Sequence, residues 1–393
     1  METRARGMKS LLAAWSILCM IIILSGSSSS RTSVAAAVRQ SRWHGNAPTT
    51  VCGNITGNTH WSLSGSPYVL SCYVQVSAGA TLTVDPGVIV QGSGDVGLYV
   101  QGTLLAEGTA TQPIIFKGVT PGAGNWTGLF FDGAEASRSR LRYVTVADAG
   151  RAYDGAHDHD HGGWLCASGV GAAGTGGGSC ENQGILLRTA DPSLDHLTIE
   201  DSYTDGLRVL ADVPPLHPSN VAFKGNGGYA VHLQTIASLP RQLSGIALGP
   251  SSIALDGGTL PPGASIQATE PLTYTLLGYT TISRAATLSL APGSVVQGSG
   301  DVGLYVQGTL LAEGTATGPI VFEGVTAGAG VWTGLFFDGA GASGSRLRYV
   351  TVAGAGRSYE GAHDVQHGGW LCGQIPYGPA LGPGGTGGAS LEK

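Results

Sequence analysis

The sequence predicts an all-β solenoid of short strands, on three observations. Glycine supplies 65 of the 393 residues, far above the ordinary share of about 7%. Only 12% of the residues are charged, roughly half the usual globular share, whereas surface helices carry Glu and Lys on their wet face. A glycine followed by a short apolar run recurs along the chain, and Gly184, Gly206 and Gly228 are evenly spaced. Strand-turn-strand units at such a period, about 22 residues, bury their apolar face only by stacking on neighbours. Other classes fall away on the same composition. Glycine has no three-residue period, which excludes collagen. At 42% hydrophobic the chain is too apolar to be disordered by composition. A net charge of −6, with no basic block after the first nine residues, argues against a nucleic-acid partner.

The N-terminus reads as a secretory signal. Arg4, Arg6 and Lys9 precede an apolar run from Leu11 to Leu24, and small residues continue through Ser30 and Ala35 to Ala37. The run is shorter than the roughly 20 residues of a membrane span. Cleavage near Ala37 is expected, leaving no membrane span; retention as an anchor is the alternative. The expected destination is secreted, extracellular or at the cell surface. Five cysteines then remain: Cys52, Cys72, Cys166, Cys180 and Cys372. In an exported chain they read as disulfides. Cys52 with Cys72 and Cys166 with Cys180 each close a short loop, and Cys372 is left over.

A large duplication dominates the rest. Residues 91–166 return as 297–372, and 12 of the 76 aligned positions differ. A looser match extends upstream, from Ser66 to Gly87 and from Pro271 to Gly293. The first copy continues past Cys180 into strands that have no counterpart after Cys372, so the second copy reads as truncated. The expected organisation is a signal at 1–37, an N-terminal segment and cap at 38–80, and a first unit at 81–234. Connecting coils at 235–290, a second unit at 291–372 and a Gly/Pro-rich tail at 373–393 complete it. A step equal to the glycine spacing places Leu207 between Ile185 and Tyr229, and Val209 between Leu187 and Val231, all facing inward. Arg208 then faces solvent, with no obligatory partner.

The segments "SPYVLSCYVQVSAGATLTVDPGVIVQGSG", "GTLLAEGTATQPIIFKG", "WTGLFF" and "SRLRYVTVADAG" resemble bacterial secreted right-handed parallel β-helix proteins of the pectate-lyase-like superfold. "PSNVAFKGNGGYAVHL" is similar to a single coil of that fold. The resemblance spans roughly Ser66 to Gln234 and Pro271 to Cys372. It implies the right-handed parallel β-helix, and says little about function, because lyases, glycosidases and adhesins share the fold.

Three groups of residues are candidates for chemistry or binding. His157, Asp158, His159, Asp160 and His161 form the densest polar cluster, of a composition that suits a divalent metal, calcium or zinc. Five of the 12 differences between copies fall from Asp148 to Asp160, which favours a solvated loop over a metal centre. Asp191, Asp195, Glu200, Asp201 and Asp205 could supply the paired carboxylates of polysaccharide cleavage. One glycine-spacing step from Asp205 reaches Gln183 on one side and Gly227 on the other. Neither is acidic, so these acids read as turn residues. Asp95 and Asp301 likewise read as closing their own turns. Trp126, Trp164, Trp332 and Trp370 flank Gly-rich loops, where they either cap the core or stack on sugar rings.

The function these readings favour is a non-catalytic exported scaffold, adhesin-like or glycan-binding, with a polysaccharide or cell-surface glycan as partner and no required cofactor. The alternatives are a polysaccharide lyase or glycoside hydrolase, and a truncated product without activity.

Overall fold

Short alternating segments set the architecture. In strands such as Thr81–Val84, Thr103–Glu107 and Ile114–Gly118 every second residue is buried, the pattern of a strand with one face on a core. The computed structural model describes residues 47–151, 182–210, 213–240, 242–243 and 245–357. Every pairing between strands among them is parallel, and the strands stack coil upon coil as a right-handed parallel β-helix. The expected fold is therefore observed. The signal at 1–37 lies outside the described residues. Among those described, no helix is long and apolar enough to cross a membrane.

The first unit has three strand columns. One runs from Tyr68–Leu70 through Ile89–Gly92 and Ile114–Gly118 to Pro218–Lys224, and ends at Ile246–Ala247. A second carries Gly97–Val100, Gly128–Asp132, Ile185–Arg188, Leu207–Val209, Val231–Leu233 and Ile253–Leu255. The third carries Thr59–Trp61, Thr81–Val84 and Thr103–Glu107, and continues into Arg140–Arg142. Between the third and first columns the chain bends at one residue of positive φ. Tyr143, His196 and Asn220 occupy this bend with φ of 48°, 51° and 54°. A left-handed residue other than glycine costs roughly 1–2 kcal/mol. Stacking offsets part of that cost: the rings of Tyr143 and His196 lie 4.4 Å apart, and Arg142 covers Tyr143.

The expected register holds for one step and fails at the next. Ile185 pairs with Leu207 and Leu187 with Val209. The next coil is longer: Arg208 and its partner His232 are 24 residues apart. Leu207 therefore pairs with Val231 and Val209 with Leu233, in place of Tyr229 and Val231. The two added residues lie between Val209 and Pro218, where the connection carries Pro214 and Pro215. Proline donates no ladder hydrogen bond, so these residues form a wider connection. The inward parity of Leu207 and Val209 is nonetheless correct, and both are buried.

The duplicated blocks do not stack in phase. Val295–Gly298 is the copy of Ile89–Gly92, which belongs to the first column. It instead pairs with Thr273–Leu276, which pairs with Ile253–Leu255 of the second column. The first column stops at Ile246–Ala247. The copy of Gly97–Val100 lies in a separate sheet with Gly258–Leu260 and Thr280–Ile282. That sheet begins beside the short helical turn Ile236–Ser238, which comes after the second-column strand Val231–Leu233. Copies of first- and second-column strands are thus displaced, while Thr287–Leu290 and Thr309–Glu313, the copies of third-column strands, pair through Ser265–Ala268 with Gln242–Leu243.

Candidate functional site

The sequence-predicted residues divide sharply. His157, Asp158, His159, Asp160, His161, Trp164, Cys166, Cys180, Trp370 and Cys372 lie outside the described residues. Cys52 and Cys72 are bridged, with Cα atoms 5.0 Å apart. Trp126 and Trp332 are fully buried, in line with the core-capping alternative, and neither offers a ring face to a sugar. Each indole N–H donates to a backbone carbonyl, Ala147 or Ala353. Gly92 makes room for the first ring: a Cβ there would meet Trp126 Cβ at 2.9 Å. Asp95 and Asp301 accept from the hydroxyls of Tyr73 and Tyr279 one coil earlier, at 2.9 and 2.7 Å. They tie coils together.

Two polar constellations remain on the outer face of the strands. One is duplicated. Tyr99 donates to Asp132 at 3.1 Å and accepts from Gln101 at 2.8 Å, while Gln75 donates to Gln101. Tyr305, Asp338 and Gln307 repeat this arrangement. Tyr99 stacks on Phe130 with ring centroids 4.8 Å apart. Tyr305 meets Phe336 at 5.3 Å, tilted, and both of those rings are half-buried where the first pair is buried. Burial, then the Asp338 bond, push the Tyr305 hydroxyl above its ordinary pKa, and hydrogen bonds from Tyr305 and Gln307 hold Asp338 below the carboxylate range. Residue alternation puts Tyr99 between inward Leu98 and Val100, and Tyr305 between Leu304 and Val306, so both phenols face outward.

The second constellation was hidden by the shorter step expected from the glycine spacing. Arg208 and His232 are paired outward positions of adjacent strands, and Asp205 and Asp256 flank them from a turn and a strand end. His232 is nearly enclosed. Its Nδ1 lies 2.7 Å from Asp205 Oδ2, and its Nε2 lies 2.7 Å from Asp256 Oδ1. Arg208 reaches Asp256 at 3.3 Å and Asp205 at 3.6 Å. Asp205 also accepts the Tyr229 backbone N–H at 2.9 Å. Arg208 Nη1 approaches His232 Nδ1 at 2.6 Å, but Nδ1 cannot donate to Asp205 and accept from Arg208 together. We assign the Nδ1 proton to Asp205. Burial opposes the imidazolium and Arg208 repels it, yet the two carboxylates outweigh both, so the His232 pKa is raised. For Asp256 burial is likewise outweighed by the His232 bond, and its pKa is lowered. With His232 protonated, two carboxylates face two cations and the group is neutral. The expectation that Arg208 has no partner is overturned.

This network is saturated rather than poised. Both carboxylates are bound by His232 and Arg208, which leaves neither as an obvious acid or base for an incoming sugar. Asp195 is similarly held by His196 at 2.8 Å and Arg142 at 3.2 Å. Among the described residues, no three His, Cys, Asp or Glu side chains are arranged to hold a metal. Sequence spacing does carry a signal for this network: Arg208, His232 and Asp256 fall at two equal steps of 24 residues.

Comparison with known families matches residues 53–176 to the pectate-lyase-like β-helix domain. The searches of curated proteins and of solved structures found no match. The matched segment covers the first coils of the first unit, including the Tyr99 and Asp132 patch. Residues 53–176 therefore carry a pectate-lyase-like β-helix domain, within a chain whose described strands continue that solenoid to residue 352.

Proposed function

We propose that the chain is an exported, non-catalytic β-helix scaffold that binds an extracellular or cell-surface glycan on its strand faces. The observation that carries this reading is the duplicated outward patch of Tyr, Gln and Asp beside a Phe ring. A tyrosine flanked by amide and carboxylate groups suits a sugar, offering an apolar ring face and planar hydrogen-bonding groups at its edge. Tyr305, Gln307 and Asp338 form the more accessible copy. The saturation of the Asp205, His232, Asp256 and Arg208 network supports a role without bond cleavage.

The test is a glycan array run beside a polysaccharide-degradation screen on the purified chain. The expected result is retention of a glycan without cleavage, weakened about tenfold by Tyr305→Ala, a loss of some ~1.4 kcal/mol. Release of shortened or unsaturated oligosaccharides would replace this reading with that of a lyase or hydrolase.

A further inference from the structure

The sequence holds two aspartyl–prolyl bonds, Asp85–Pro86 and Asp191–Pro192. Such bonds are among the most acid-labile peptide links. The prolyl nitrogen is a tertiary amide without an N–H, and it leaves readily once it takes a proton. The aspartyl carboxyl can supply that proton and close a ring on its own carbonyl carbon.

The two bonds sit in different surroundings. Asp85 is engaged: His60 Nε2 lies 2.7 Å from its Oδ1, and both side chains are open to solvent. Asp191 Oδ1 is buried, with no hydrogen-bond partner among the described residues. The Asp191 backbone N–H donates to the Ser137 hydroxyl of the coil below at 3.0 Å, and Pro192 is buried. The bond is therefore pinned in the wall of the solenoid. Four charged groups lie on the elements around it. Glu135 and Arg138 belong to the turn that carries Ser137, Arg188 ends the strand before Asp191, and His217 lies on the connection above. Asp212 of that connection lies outside the described residues. Glu135 accepts the Gly79 N–H, and Arg138 is exposed. Burial raises the Asp191 pKa and outweighs the opposing charge of His217. The neutral acid thus persists to higher pH than in an ordinary aspartate.

We infer that Asp191–Pro192 is a self-cleaving bond, through which the folded chain nicks its own solenoid wall in mild acid. A carboxyl oxygen of Asp191 attacks the Asp191 carbonyl carbon while the carboxyl proton passes to the Pro192 nitrogen. The C–N bond breaks, its electron pair stays on nitrogen, and Pro192 becomes a free secondary amine. Asp191 is left as a cyclic anhydride, which water opens to the side-chain carboxyl and a new C-terminal carboxyl. Nothing is oxidised or reduced, and water is the only co-reactant. An oxygen with no hydrogen bond to give up is free to attack, and Asp191 itself is only half-buried, so water reaches it. The event is self-directed and independent of the glycan reading. The strands on both sides of the nick remain paired to the coils above and below.

The test holds the full chain at the lowest pH at which circular dichroism still shows its native strands, and follows it by intact mass and denaturing gels. The expected result is one cut that creates an N-terminus at Pro192, while Asp85–Pro86 survives. Asp191→Asn has no carboxyl to close the anhydride and should lose the cut altogether. Asp191→Glu keeps the acid but enlarges the ring, and should slow it. In urea at the same pH the two bonds should break at similar rates, because the surroundings that set them apart are gone. A folded chain that stays whole overturns the inference. So does scission at Asp85–Pro86 as fast as at Asp191–Pro192, or a Pro192 terminus that still forms in Asp191→Asn, which would mark an outside protease.

Discussion

The two copies of the duplicated block are nearly the same sequence in different surroundings. Phe131 and Leu141 are sealed into the core, whereas Phe337 and Leu347 are exposed, with no strand paired beyond them among the described residues. The stacked Tyr99 and Phe130 rings are buried, and their copies are tilted and half-buried. What differs is the next coil. In a solenoid, burial is conferred by the neighbour, so a residue's energetic weight cannot be assigned from its own coil.

The comparison is broken most forcefully at its inward positions. Leu141→Asp should cost several kcal/mol, since it places a carboxylate in an enclosed apolar site. Leu347→Asp should cost about 1 kcal/mol or less. Equal shifts in the urea midpoint for the two would refute the idea that the covering coil sets the difference.

A smaller effect separates the first unit's polar network from the second unit, where the described strands carry no equivalent. Arg208→Ala removes one cation from a half-buried neutral group, and should cost about 1–3 kcal/mol. Its inward neighbour Leu207→Ala should cost somewhat more, about 2–5 kcal/mol. An Arg208→Ala variant as stable as wild type in thermal melts would show the network to be incidental.

The mildest effect is in pH dependence. His232 has a folded pKa raised above its unfolded value near 6.5. Its contribution is therefore fully present below about pH 6.5 and is lost as pH rises through the folded pKa. Wild-type stability should fall across that window more steeply than that of His232→Gln. Identical slopes in denaturant titrations at successive pH values would mean that His232 does not titrate with folding.

Much of the fold was legible because its causes are local. Alternation in "TLTV" and "TLLAE", glycine at the turns and the duplicated block all report strand parity and coil recurrence. The displacement of the first- and second-column copies was not legible, since identical blocks carry no signal of the column on which they land. That depends on where the first column ends, at Ile246–Ala247. The Asp205, His232 and Asp256 cluster escaped for a related reason. Two residues in the connection before Pro218 displaced the register, and the shorter glycine step from Asp205 pointed to Gly227 instead of Tyr229. Trp126 was ambiguous because flanking glycine marks both an exposed loop and a close packing contact. Here Gly92, on the coil below, decided for packing.

The displacement of the second-column copies also bears on how two copies of one patch can act together. Tyr99 lies in the column of Gly128–Asp132, while Tyr305 lies in the sheet of Gly258–Leu260 and Thr280–Ile282. Duplication in phase would have lined the two patches along one face, where a single straight polymer could span both and gain avidity from their high effective concentration. Carried by different strand sheets, the two patches would each hold a glycan of the kind proposed here independently, without that gain.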